Sequence, residues 1–370
     1  MDKDMPKLGF GAMRLPYKGS ESNIDIGQVK KMVDLFIDSG FKYFDTAYVY
    51  HNGKSELALK EALVTRHPRG SYWIATKMPM WSVRSAQDLR RIFNEQLNKL
   101  GVDYIDYYLL HSMGSGSENT AVRLKAYEFC EQLKREGRIR FAGFSFHDSA
   151  DVLEGILKNH PEMDFVQLQI NYMDVKMGSS GRFYDLARQY NKPVIVMEPV
   201  KGGTLANLDK PAEAVLKSAR PGDSMASWAL RYCASLPGVY TTLSGMSDIA
   251  QVEDNIKTFI NFEPLTKAEE EIIDRSMNAS AQSSTIPCTA CKYCVDHCPN
   301  GIAIPSVFAA YNSLKRTGNK FAANSEYRAI SDGHRAGDCT ACGECVSYCP
   351  QGIQIPEEMA NVEAVFGGKG

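Results

Sequence analysis

The sequence predicts an α/β chain: a (β/α)8 TIM barrel followed by a small, mainly helical C-terminal domain. Three observations lead there. Eight strand-like runs alternate with helix-like segments over the first three quarters of the chain. Several of those runs end on a charged or polar side chain, and barrels of this kind keep their active sites at the carboxyl ends of their strands. Eight of the ten cysteines lie beyond residue 287, in two matching runs.

A length of 370 residues suits about two domains and can bury a large core. The 44% hydrophobic and 23% charged content is that of an ordinary globular protein. A net charge of −2 gives no reason to expect nucleic acid or an anionic membrane as partner. No run approaches the roughly 18 apolar residues of a membrane span, and the polar start Met1–Lys7 lacks the apolar stretch of a signal peptide. Clustered cysteines point to a metal domain in a reducing compartment rather than to disulfides, so a cytoplasmic location is expected.

In chain order, Leu8–Met13 reads as the first strand. Asp25 is placed to cap a helix whose apolar positions Val29, Met32, Val33, Phe36 and Ile37 recur at helical spacing until Gly40 stops it. Phe41–Ala47 is apolar enough to be a strand buried on both faces. Later strands are Trp73–Met78, Tyr104–His111, Arg140–Phe146, Phe165–Ile170, Pro193–Pro199 and Val239–Gly245. Helical patterns fall near 55–66, 85–100, 120–136, 149–159, 182–190, 223–235 and 249–260. A doubly wound open sheet is the rival, but it has no need of eight repeats and usually carries a glycine-rich fingerprint after its first strand, which is absent here. Leu265–Glu271 has the look of a capped, charged helix, and Ala279–Thr285 suits a linker. The expected domains are therefore 1–279 and 280–370.

The stretch Phe44-Asp45-Thr46-Ala47-Tyr48-Val49-Tyr50 organises the rest. A buried Asp needs a cation or several donors. The runs ending Thr76-Lys77 and Leu110-His111 bring an ammonium and an imidazole to neighbouring strand ends. From Leu8-Gly9-Phe10-Gly11-Ala12-Met13 through Asp45-Thr46-Ala47, Tyr50, Gly53-Lys54-Ser55-Glu56, Thr76-Lys77 and Leu110-His111 to Ser244-Gly245-Met246-Ser247, the chain resembles the aldo/keto reductase family. The resemblance covers about residues 5–280 and includes the four members of the family's tetrad in order.

A carbonyl that accepts hydride develops alkoxide charge and needs a proton at the same moment. A free tyrosine, with a pKa of about 10, is a poor donor at neutral pH, and a nearby ammonium lowers that value by favouring the phenolate. Tyr50 is the expected general acid, Lys77 its tuner, Asp45 the lysine's ion-pair partner and His111 the group that orients the carbonyl. The family assigns the same roles. Met13, Met80, Trp81, Phe146 and His147 are candidates for an apolar pocket.

For a nicotinamide cofactor, NAD(P)H, the resemblance implies that Ser145 and Gln167 meet the carboxamide and that Glu198 ends the strand that contacts the ring. Ser244, Gly245, Met246, Gln251 and Asn255 would meet the adenosine diphosphate, with help from a helix N-terminus. Many members place Lys or Arg in this last segment to hold a 2′-phosphate. This chain has Asp248, Gln251 and Glu253 there, so no strong preference for NADPH is expected.

The tail repeats at a period of 51 residues: Cys288-Thr289-Ala290-Cys291-x-x-Cys294-x-x-x-Cys298-Pro299 returns as Cys339-Thr340-Ala341-Cys342-x-x-Cys345-x-x-x-Cys349-Pro350. Ser306–Arg316, between them, has helical spacing. Thiolates are soft ligands, and these spacings resemble those of bacterial ferredoxin-type 4Fe–4S ligation. Zinc is the alternative, but it usually takes two separated Cys-x-x-Cys pairs. In two-cluster ferredoxins the fourth cysteine of each run serves the other cluster. The resemblance thus implies Cys288, Cys291, Cys294 and Cys349 on one cluster, and Cys339, Cys342, Cys345 and Cys298 on the second. Cys130 and Cys233 read as packing residues.

The reading that results is an oxidoreductase that transfers hydride between NAD(P)H and a small-molecule carbonyl or alcohol substrate, fused to a two-cluster electron-transfer domain. Two others stay open: an enzyme driven by an external ferredoxin-like redox partner, and a redox-sensing or regulatory protein that binds the cofactor with little turnover.

Overall fold

The computed structural model describes residues 4–178, 180–280, 285–317 and 320–367. Most of the expected linker, 281–284, therefore lies outside the described residues. Eight parallel strands close into a barrel in sequence order: β1 Leu8–Gly11, β2 Tyr43–Asp45, β3 Trp73–Pro79, β4 Ile105–Met113, β5 Ile139–Phe146, β6 Phe165–Gln169, β7 Val194–Met197 and β8 Val239–Ser244. Pairing of Leu8 with Thr242 and of Phe10 with Ser244 completes the circle.

The strands alternate as a closed sheet must. Phe10 and Phe44 pack on Phe36, which belongs to the helix Ile26–Asp38, with ring centroids 5.5 and 5.3 Å apart. Asp25 does cap that helix, accepting from the Gln28 amide. One buried core cluster contains Tyr43, Ala75, Tyr107, Leu109, Phe165, Ile195 and Leu243. So many large side chains leave no room for neighbours: a Cβ on Gly143 would lie 2.6 Å from the Phe165 ring, and one on Gly9 would lie 2.8 Å from Leu243. Gly143→Ala should therefore overpack the core and cost about 1–3 kcal/mol. An unchanged denaturant midpoint in that variant would show that Phe165 can move aside freely.

Some element bounds differ from those expected. β2 is only three residues long, with Asp45 its last. β4 runs on to Met113, so His111 lies within the strand rather than at its end; Lys77 likewise lies inside β3. The pairing of β4 with β5 shifts register between Leu110 and Met113, where Ser112 takes φ 54°. The pattern at 120–136 is two helices, Ser115–Arg123 and Ala126–Arg135, separated at Lys125 in the left-handed conformation. A helix at Lys210–Ala219, capped by Asp209, had no counterpart in the expected pattern.

The chain packs as two compact units: Met1–Val200 with Ala226–Glu270, and Lys201–Met225 with Glu271–Gly370. All eight strands belong to the first. The second has its own core of Ile286, Ile302, Ile304, Val307, Phe308, Ile353, Ile355, Met359 and Val362. Three of its helices, Ile304–Thr317, Lys320–Arg328 and Ile355–Phe366, lie beyond residue 287, and the last two fall outside the expected pattern. Within it Gly202, at φ +62°, comes so close to Thr289 that a Cβ there would lie 2.7 Å from the threonine Cα. Only glycine suits that position. None of the described helices is long and apolar enough to cross a membrane.

Candidate active site and cluster cavities

The carboxyl ends of β2, β3 and β4 bring the four expected side chains together. Asp45, Lys77 and His111 are buried, and Tyr50 is half-buried. The Lys77 ammonium donates to Asp45 Oδ1, to the Thr46 carbonyl at 2.8 Å and to the Tyr50 hydroxyl at 3.3 Å. Gln167 Nε2 donates to the other Asp45 oxygen at 3.0 Å. Burial pushes the Asp45 carboxyl up and the Lys77 ammonium down, each opposed by the charge of the other. The His111 ring stands edge-on to Tyr50, 5.9 Å between centroids, and 5.0 Å from that of Trp81. Burial, helped by the Lys77 charge, holds His111 well below the usual imidazole range. It is therefore neutral at pH 7 and can donate through one nitrogen.

Tyr50 owes its place to the turn that follows it. His51 and Asn52 take left-handed conformations at φ 51° and 54° and reverse the chain at once. His51 accepts from the Leu15 amide at 3.1 Å and approaches the Glu21 carbonyl at 2.9 Å. Ser55 donates to the Ala12 carbonyl at 2.9 Å, and buried Glu56 accepts from Thr76 at 2.7 Å. Of these anchors Ser55 and Glu56 carry, in the sequence, only the signal of a family motif, and His51 carries none.

The expected cofactor residues fall on the same face of the barrel. Ser145 on β5 accepts from the Ser112 amide at 2.8 Å. Gln167 on β6 is engaged by Asp45. Glu198, one residue past β7, has φ 55° and pairs with Arg14 at 3.1 Å. Ser244 accepts from Asn255 at 2.8 Å, and Met246 is fully buried. The helix Ile249–Phe259 is capped by Asp248, which accepts from the Gln251 amide at 2.8 Å, while Gln251 Oε1 accepts from the Ser247 amide. Arg14 was not anticipated. It follows β1, and its side chain would touch any Cβ at Gly245, 3.2 Å away. Buried amides and hydroxyls beside one guanidinium form a donor set that fits a dinucleotide.

In the second unit the cysteines line two cavities. One is lined by Cys298, Cys339, Cys342 and Cys345; the other by Cys288, Cys291, Cys294 and Cys349. Ile304 and Ile355 line both. The fourth cysteine of each run thus stands with the first three of the other. The repeat extends to backbone shape: Ala290 and Ala341 both take φ 54°, and Gly301 and Gly352 take 61° and 64°. Amides of Ala290 and Ile302 point at the sulfurs of Cys288 and Cys298, each at 3.4 Å. Among the described residues no three His, Cys, Asp or Glu side chains converge tightly enough to hold a single ion. Three thiols of one run with the fourth of the other, around one shared cavity, suit a ferredoxin-type cluster better than zinc.

Comparison with known proteins decides the family. Residues 7–278 match the model of the aldo/keto reductase family. The chain belongs to that family. Residues 287–353 match the 4Fe–4S dicluster domain, so this aldo/keto reductase carries a ferredoxin-type domain after its barrel. Its relatives include the uncharacterized oxidoreductase YqkF of Bacillus subtilis, 27% identical over 72% of this chain and 91% of the other. L-galactose dehydrogenase of Arabidopsis thaliana is 27% identical over 63% of this chain and 78% of its own. Among solved structures, the holo form of aldo-keto reductase AKR11C1 from Bacillus halodurans is 26% identical, with a TM-score of 0.59, covering 73% of this chain and 91% of that one. A Klebsiella pneumoniae aldo-keto reductase in complex with NADPH, 22% identical with a TM-score of 0.61 over 73% of this chain and 90% of its own, shares the fold.

Proposed function

We propose that this aldo/keto reductase transfers hydride between NAD(P)H and a carbonyl or alcohol substrate, with two 4Fe–4S clusters serving electron transfer. The observation that carries the reading is the Lys77 ammonium held between Asp45 and the Tyr50 hydroxyl, beside a neutral His111. A bound nicotinamide supplies the hydride, and the clusters supply one-electron transfer. Ser145, Gln167, Ser244, Asn255 and Arg14 would hold the dinucleotide, and the two sets of four cysteines the clusters. We take residues 1–279 as the reductase domain and 280–370 as the cluster domain.

The chain's own groups manage the proton. His111 donates a hydrogen bond to the substrate oxygen and fixes it beside Tyr50. As negative charge grows on that oxygen, Tyr50 gives up its hydroxyl proton, and the Lys77 ammonium stabilises the phenolate left behind. Asp45, itself held by Gln167, keeps the ammonium in place. Trp81, 42% exposed, presents an aromatic face to an apolar part of the substrate. Steady-state oxidation of NAD(P)H with a panel of aldehydes and ketones tests the reading. Tight cofactor binding without turnover on any of them would favour a sensor instead. We place the protein in a reducing, cytoplasmic setting, in keeping with the clustering of eight of its ten cysteines in metal-ligand runs.

The segment after β8 supports little discrimination between the two nucleotides, because Asp248 caps the helix there and Arg14 is paired with Glu198. Binding titrations should give dissociation constants for NADH and NADPH within about tenfold of each other, a difference under about 1.4 kcal/mol. A larger preference for NADPH would identify Arg14 as the phosphate's partner, and Arg14→Met should then abolish it.

A further inference from the structure

Glu56 is completely buried, and the proton-transfer chemistry described above does not use it. Its Oε1 accepts from Thr76 Oγ1 at 2.7 Å and from Gln96 Nε2 at 3.1 Å. Thr76 is the residue before Lys77. Gln96 also donates to the Lys77 carbonyl at 3.0 Å and is itself held by the Tyr108 hydroxyl at 2.7 Å. Glu56 therefore fastens the helix Ser55–Leu59, which begins five residues after Tyr50, to the strand that carries Lys77.

We propose that Glu56 is a positioning residue for the proton donor: through Thr76 and Gln96 it sets the gap between the Tyr50 hydroxyl and the Lys77 ammonium. The inference rests on the reductase reading. Two roles compete for this carboxylate, charge and geometry. Lys99 stands 3.5 Å from Oε2 and offsets part of the charge; the remainder reaches Lys77 and favours its ammonium, so Glu56→Gln, which keeps the hydrogen bonds and removes the charge, separates the two roles. A gap of 3.3 Å is already at the long end for proton relay, and an error of about 1 Å in such a contact can cost about 10²-fold in rate.

The test compares four variants of the full-length protein, after wild-type NAD(P)H-dependent reduction and its loss in Tyr50→Phe have been established. Absence of that activity would overturn the reductase reading itself and not this step. Glu56→Ala should lower kcat about tenfold or more, leave the cofactor dissociation constant and the substrate KM within about threefold, and raise the solvent deuterium isotope effect on kcat. Glu56→Gln keeps an acceptor for Thr76 and Gln96, while Lys99, 24% exposed, can turn away. It should restore kcat to within about threefold of wild type. Thr76→Val cuts the same link from the other side and should match Glu56→Ala, with the double variant no worse than either. A folded Glu56→Ala enzyme with near-normal kcat overturns the proposal. If that variant does not fold, an unchanged kcat and isotope effect in Thr76→Val does so.

Discussion

Replacing Tyr50 by Phe is expected to lower turnover by about 10²-fold or more while cofactor affinity stays nearly unchanged. The substitution removes only the hydroxyl that lies 3.3 Å from Lys77. The ring remains, and with it the edge-on contact to His111 and the position of the Lys77 ammonium 4.8 Å from the ring centroid. Steric explanations for a loss are thereby excluded. Lys77→Met should be at least as damaging, for a different reason. It strands Asp45, 3% exposed, with Gln167 as the remaining side-chain donor that faces it. Removing one partner of a buried pair costs about 3–5 kcal/mol, so this variant should lose stability as well as activity. Stopped-flow turnover beside thermal denaturation separates the two. Near-normal turnover in Tyr50→Phe would remove Tyr50 from its role.

Cys349→Ser should empty or distort the cluster site of the other run, the one formed with Cys288, Cys291 and Cys294. Anaerobically prepared wild type should carry about eight irons, the content of two 4Fe–4S clusters, and the variant about half of them. The remaining signal should belong to the site of Cys298, Cys339, Cys342 and Cys345, and Cys298→Ser should reverse the pattern. Each cavity draws on both halves of the tail, so metal binding there is coupled to folding across the intervening segment. The variant should also loosen the core around Ile304 and Ile355, which line both cavities. Loss confined to the variant's own run would instead show local ligation.

The architecture of the reductase domain was legible in the sequence because eight apolar runs alternate with helical patterns, and because Asp45, Tyr50, Lys77 and His111 are chemically conspicuous on such runs or just after them. The cysteine repeat was legible for the same reason: a metal centre imposes its spacing on the local chain. What tertiary structure alone decided is how remote parts meet. Nothing in the runs themselves tells that Glu56 hangs from Thr76, or that Gln96, 19 residues beyond Lys77, holds that lysine's carbonyl. Arg14 and Glu198 are 184 residues apart and pair only because the barrel closes. Helix breaks such as the one at Lys125 were also out of reach, since a left-handed lysine has no local signature and is set by what packs around it. Periodicity reports which face of an element is buried, whereas the partner buried against it follows from closure of the sheet, and on that closure depend the contacts that place Tyr50 beside Lys77.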